Sequence, residues 1–153
     1  MSKKQKGFSL IELLIVVAII LIIAAIAIPN LMRSKMSANE ASAVAALRTL
    51  NTACISYSTT WGQFPGGLPS LGPMTGTSPT SATADLIDSV LAGGTKAGYT
   101  ITFAGGGATG AYSITAAPVT PGVSGQRYFY TDQSGVIRVN PSGAATSASS
   151  PLS

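Results

Sequence analysis

The sequence predicts an α+β fold, with one long N-terminal α-helix packed on a four-stranded antiparallel sheet. Three observations lead there. From Phe8 to Ile28 the chain runs twenty-one residues with Glu12 as the only charge. Beyond it, Ala43, Leu47, Leu50, Cys54, Tyr57 and Trp61 recur at four-three spacing, the stripe of a helix lying on a core. From Tyr99 onward apolar residues alternate with period two, the pattern of half-buried strands.

The first element is apolar on all sides. As an α-helix, residues 8–28 would be roughly 31 Å long, about the thickness of bilayer hydrocarbon. A helix greasy all round is a membrane span or the centre of a large core, and 153 residues offer no such core. Residues 8–29 therefore read as a transmembrane segment. A secretory signal with Ala25-Ile26-Ala27 as its cleavage site is the first competing reading. Its apolar region would exceed the usual length of about 7–15 residues and would leave Glu12 without a purpose. A plain membrane anchor is the second.

Glu12 decides between them. A carboxylate at mid-membrane costs about 2.5–3.5 kcal/mol on insertion scales. Packed in protein, it needs a cationic partner. The segment supplies none, but a cut between Gly7 and Phe8 would create an α-amino group four residues away.

The basic leader Lys3, Lys4, Lys6, then Gly7-Phe8-Ser9-Leu10-Ile11-Glu12 and LLIVVAIILIIAAIAIPNL resemble the class III signal of type IV pilins and pseudopilins. The likeness covers about the first thirty residues. It implies that residues 1–7 are a leader removed by a prepilin peptidase after Gly7. Phe8 would become the N-methylated first residue. Glu12 would pair with the Phe8 amine of a neighbouring subunit during assembly. It further implies a pilin-like lollipop and a homo-oligomeric helical filament. The subunit would be stored in the inner membrane with its N-terminus in the cytoplasm and then assembled into an extracellular pilus. An assembly ATPase, a platform protein and a secretin would be the other partners. A minor pilin or a type II secretion pseudopilin is the alternative within that superfamily. A membrane-anchored periplasmic binding domain that never polymerises is the alternative outside it.

Composition excludes several other classes. Nine Lys/Arg against five Asp/Glu give a net +4. Without Lys3, Lys4 and Lys6, six positive charges face five negative, so the basic character is largely a leader property and no nucleic-acid partner is expected. There is no histidine, and the lone Cys54 falls on the apolar stripe as a small hydrophobe. No catalytic set and no cofactor are expected. Asp85 and Asp88 could share a cation but read better as a solvated face, so no metal is expected. One cysteine also departs from the C-terminal disulfide of many type IV pilins.

The remaining elements follow in order. Pro29 lacks an amide hydrogen and its ring opposes the Ala25 carbonyl, so a kink is expected there. Residues 30–140 should form the head. Its helix reaches about residue 60, either unbroken or restarting at the S-x-x-E capping box Ser37–Glu40. Residues 61–98, rich in Gly, Pro, Ser and Thr, read as a variable surface loop with a short helix capped by Thr83 and ended by Gly93. Strands are expected at Tyr99–Phe103, Tyr112–Ala116, Arg127–Thr131 and Val136–Val139, within 99–140. Residues 141–153 carry no charge and no pattern, which predicts a flexible tail.

Overall fold

The computed structural model describes residues 7–107 and 110–152. Two compact units, 1–34 and 35–153, are taken separately. Helix α1 spans Leu10–Trp61, 52 residues, and remains helical through Pro29 and through Ser37. Of the two readings, unbroken or restarting at Ser37, the structure takes the unbroken helix. A glycine ends it. Gly62 adopts φ +70° and its amide donates to the Ser58 carbonyl at 2.9 Å, a left-handed stop that a side chain would resist.

In the second unit, α1 buries the expected stripe. Ala43, Leu47, Leu50, Cys54 and Tyr57 are inaccessible or nearly so, Trp61 is half-buried, and Arg48, Thr49, Thr52, Ser56 and Thr59 face outward. The stripe shares one core with Tyr99, Ile101, Tyr112, Ile114, Ala116 and Phe129 of the sheet. Each fully buried Leu or Ile in such a core contributes about 1.5–3 kcal/mol relative to exposure.

The sheet is an antiparallel meander of six strands in sequential order, β1 (Thr95–Lys96), β2 (Tyr99–Gly105), β3 (Tyr112–Pro118), β4 (Tyr128–Asp132), β5 (Arg138–Asn140) and β6 (Ser150–Pro151). The four expected strands are β2 to β5. The two additional ones are edge strands of two residues each, too short to show a period in the sequence. Register places Ile101 opposite Ala116 and Ala116 opposite Phe129, which brings the buried residues of three strands to one face. Phe129 points into the core while Tyr128 and Tyr130 lie on the other face, half-buried.

Two further expectations are corrected. The connection 61–98 is partly folded onto the core. Helices α2 (Leu68–Leu71) and α3 (Ser89–Ala92) insert Leu68, Leu71 and Leu91, and Ile87 joins them, leaving 73–82 exposed. The short helix is capped by Asp88, whose Oδ1 accepts from the Leu91 amide at 2.8 Å, and not by Thr83. Thr83 instead exchanges backbone hydrogen bonds with Thr80. The second correction is the tail. Residues 144–152 return to the sheet, where Ser150–Pro151 pair with β5 and Ala145 is buried. Backbone pairing, Ala145, Leu152 and side-chain bonds from Arg138 and Asn140 to the Ser149 and Ala144 carbonyls hold this segment, and none of them forms a pattern in the sequence.

Candidate functional site

The N-terminal unit presents an apolar surface interrupted by one acid. Phe8 is 82% exposed, and the large apolar side chains from Leu10 to Met32 are between 45% and 76% exposed. This part of α1 is long and apolar enough to cross a membrane. Gly7 stands in open space, where an added Cβ would meet nothing within 4 Å.

Glu12 sits in the first turn of α1. Its Oε2 accepts from the Ser9 amide at 2.9 Å, and the Leu13 amide donates to the Ser9 carbonyl at 3.3 Å. Ser9 is thus the cap and Glu12 the third helical residue, reaching back to a backbone N–H that the helix leaves unsatisfied. The chain contains S-x-x-E twice, and this one was overlooked in the sequence. Ser37–Glu40, which has the same spacing, lies inside α1, and there the carboxylate turns to a distant partner.

Glu40 is 7% exposed. Its Oε1 accepts from the amides of Gln126 at 2.9 Å and Arg127 at 3.1 Å, and its Oε2 lies 2.7 Å from Arg127 Nε. Burial pushes the carboxyl up, but the two amides and the guanidinium outweigh it and hold the pKa below its ordinary 4.5. Beside it, Asn39 Nδ2 donates to the Ser124 carbonyl at 2.8 Å. Together these contacts fasten the connection between β3 and β4 to α1.

A second buried polar group lies further along α1. Asn51 Nδ2 donates to Thr131 Oγ1 at 2.8 Å, and Tyr112 Oη donates to Asn51 Oδ1 at 3.2 Å. Burial pushes the neighbouring Cys54 thiol up to about 12, so it remains protonated and is a poor nucleophile. Asp88 spends one oxygen on the Leu91 amide and the other, at 3.4 Å, on Lys96 Nζ. Asp85 adopts φ +55° and is exposed.

The structure therefore places exposed Phe8 just ahead of the Ser9 cap and Glu12 in the first turn of an exposed apolar helix, with the carboxylate on the Ser9 amide. Pro29 lies within the same helix. Lys3, Lys4 and Lys6, expected to belong to a leader, lie outside the described residues.

Comparison with known proteins bears on this segment. The family described as the prokaryotic N-terminal methylation motif matches residues 2–28. The chain is 58% identical over 38 residues to the type IV wide pilus major component PilA4 of Thermus thermophilus, covering 25% of this chain and 29% of that protein. It is 46% identical over 56 residues to the type IV major pilin protein PilA of Myxococcus xanthus, covering 37% and 26%. It is 38% identical over 56 residues to the type II secretion system core protein G of Escherichia coli, covering 37% and 39%. The chain thus spans between about a quarter and two fifths of the length of these relatives. No solved structure matches it. The exposed apolar helix with its single capped acid is the segment that carries the prokaryotic N-terminal methylation motif, in a chain similar to type IV pilins and to type II secretion core proteins.

Proposed function

We propose that this chain is a structural subunit of a type IV pilus, which self-assembles through its N-terminal helix after leader cleavage and N-methylation. The observation that carries this reading is the Glu12 carboxylate, the one acid in the stretch of α1 from Leu10 to Met32, whose large apolar side chains are all exposed. Such a surface has to be covered, first by lipid and then by other copies. Covering it with Leu and Ile supplies cohesion but no register, because lipid tails solvate those side chains equally well. A carboxylate meeting an amine supplies the direction. A cut between Gly7 and Phe8 would provide that amine.

In this reading the precursor crosses the inner membrane once, with its N-terminus cytoplasmic. Glu12 caps its own helix through Ser9 until a neighbour's N-methylated Phe8 displaces that contact. Pro29, with no amide to donate, is the point where α1 bends or loosens as subunits pack. A prepilin peptidase, an assembly ATPase, a platform protein and a secretin complete the system by analogy with pilins. The work of such a subunit is cohesion, with no enzymatic step.

The test is Glu12→Ala. It should leave membrane insertion intact and abolish or strongly reduce filaments, and normal filaments from that variant would remove Glu12 from this role. Intact-mass measurement of the mature chain should give a methylated Phe8 start, and any other N-terminus would end the cleavage assignment. A second reading, a type II secretion pseudopilin, is favoured by the core protein G relatives, one of which, from Dickeya chrysanthemi, is 30% identical over 74 residues. Purified surface filaments made mainly of this chain would decide for the pilus.

A further inference from the structure

Both edges of the sheet are closed by strands of two residues. At one edge β1 carries Lys96, and at the other β6 carries Pro151. Lysine and proline are what edge strands use to refuse another chain, the first by charge and the second by lacking an N–H. The closures differ in how firmly they are held. Strand β1 is continuous with β2 through a tight turn, and Lys96 is tied to Asp88.

Strand β6 reaches the sheet only after the nine-residue connection 141–149, and few bonds hold it. Ser150 and Pro151 pair with Val139 and Arg138, the Leu152 amide donates to the Ile137 carbonyl at 2.8 Å, and Arg138 Nη1 donates to the Ser149 carbonyl at 3.0 Å. In the segment 144–152 the small Ala145 is buried, while Leu152, its largest apolar side chain, is only partly buried against the core. Among the described residues, the buried Arg138 Nε has no hydrogen-bond partner. Segments with few buried apolar contacts open locally long before the fold does.

We propose that residues 144–152 are a removable strap over β5, and that the edge beneath it is a latent pairing site for β5 of a second copy of this chain. The edge suits such a partner. In an antiparallel pair centred on Val139, the two valines face each other and each Arg138 faces an Asn140, so no like charges meet. An amide would also come within reach of the guanidinium. If the chain is a filament subunit, as proposed above, its heads are held at high local concentration. The strap then keeps edge pairing from competing with helix-directed assembly.

The experiment uses the full chain in detergent micelles, unassembled, so it does not depend on the filament reading. Val139→Cys is introduced into a Cys54→Ala background, with the strap intact or loosened by Leu152→Asp. Opposed cysteines on paired antiparallel strands fall within disulfide range. Mild oxidation should give at least tenfold more disulfide-linked dimer with the loosened strap than with the intact one. Equal yields from a loosened chain that keeps its far-ultraviolet circular dichroism would overturn the proposal. Should Leu152→Asp unfold the head, hydrogen exchange on the parent chain decides. The Leu152 amide should exchange at least tenfold faster than the Ile114 amide of β3, and exchange of both at one common rate would refute the strap.

Discussion

Arg127 meets Glu40 twice, through its guanidinium Nε at 2.7 Å and through its own backbone amide at 3.1 Å. The two residues are 87 positions apart in sequence, and the contact ties the entry to β4 to the helix that carries the stripe. Strength is unevenly divided within it. The Arg127 side chain is 45% exposed and the Glu40 side chain 10%, so water screens much of the charge attraction. The amides of Gln126 and Arg127 both lose their one acceptor oxygen once the carboxylate is gone.

The two truncations should therefore differ. Glu40→Ala leaves two part-buried backbone donors without their acceptor and is expected to destabilise the head by about 2–3 kcal/mol, each at the low end of the range of about 1–3 kcal/mol for a group left unsatisfied. Arg127→Ala removes a half-exposed partner, together with a guanidinium 5.6 Å from the Phe129 ring centroid, and should cost roughly 1 kcal/mol. Urea denaturation of the chain in micelles measures both. Equal losses would mean that the ion pair, and not the backbone contact, holds the loop.

Acid should expose the same group. The folded-state pKa of Glu40 is lowered below 4.5, so its contribution is fully present above that value and is lost as pH falls through the folded pKa. Asp132 adds in the same direction. Burial raises its pKa, but the Ser134 hydroxyl and amide, the Tyr130 hydroxyl and Arg138 together lower it. Thermal midpoints should hold level from neutrality down to about pH 4.5 and then fall. Glu40→Gln, which cannot titrate, should start lower and decline less steeply. A parallel pair of curves would exclude Glu40 from the acid response.

The polar group on the buried face of α1 makes a separate prediction. Asn51 bridges Thr131 and Tyr112, so Asn51→Ala takes the donor from the buried Thr131 hydroxyl, while Tyr112 keeps its hydrogen bond with Cys54, and should cost about 1–3 kcal/mol. Thr131→Val in that background removes that hydroxyl and should recover part of the loss. A double-mutant cycle on denaturation free energies reads the coupling. Additive losses would show that Thr131 does not depend on Asn51.

These contacts mark where the sequence stopped being informative. The stripe from Ala43 to Tyr57 and the alternation of β2 to β4 are periodic, and periodicity is set by which face is buried. It survives in one chain without any partner being named. Glu40 and Asn51 sit among those same turns, but their partners arrive from β3, from β4 and from the segment between them. No local spacing encodes a contact 80 or more residues away. Glu40 was misleading for the same reason, since Ser37–Glu40 and Ser9–Glu12 spell one signal and only the second lies at a helix start. Strand β6 was invisible because two residues cannot alternate. In the N-terminal unit the sequence was most legible, since an uninterrupted apolar run with one acid needs no tertiary partner to be recognised.

Cys54 gives the last prediction. It lies on the stripe at 0% exposure and its thiol is pushed up to about 12 by burial, with a hydrogen bond involving Tyr112 opposing that shift. Reactivity requires the thiolate and access, and the folded head withholds both. At pH 8 a maleimide should leave folded chain in micelles unlabelled over hours, whereas the same reagent in denaturant should label one site per chain within minutes. Because opening of the head is required, the slow labelling rate should rise in Asn51→Ala by the factor that its stability falls, about tenfold for each 1.4 kcal/mol. Fast labelling of the native chain would mean that the helix lifts from the sheet at Cys54. The stripe from Leu47 to Tyr57 would then not be the seam that holds the head together.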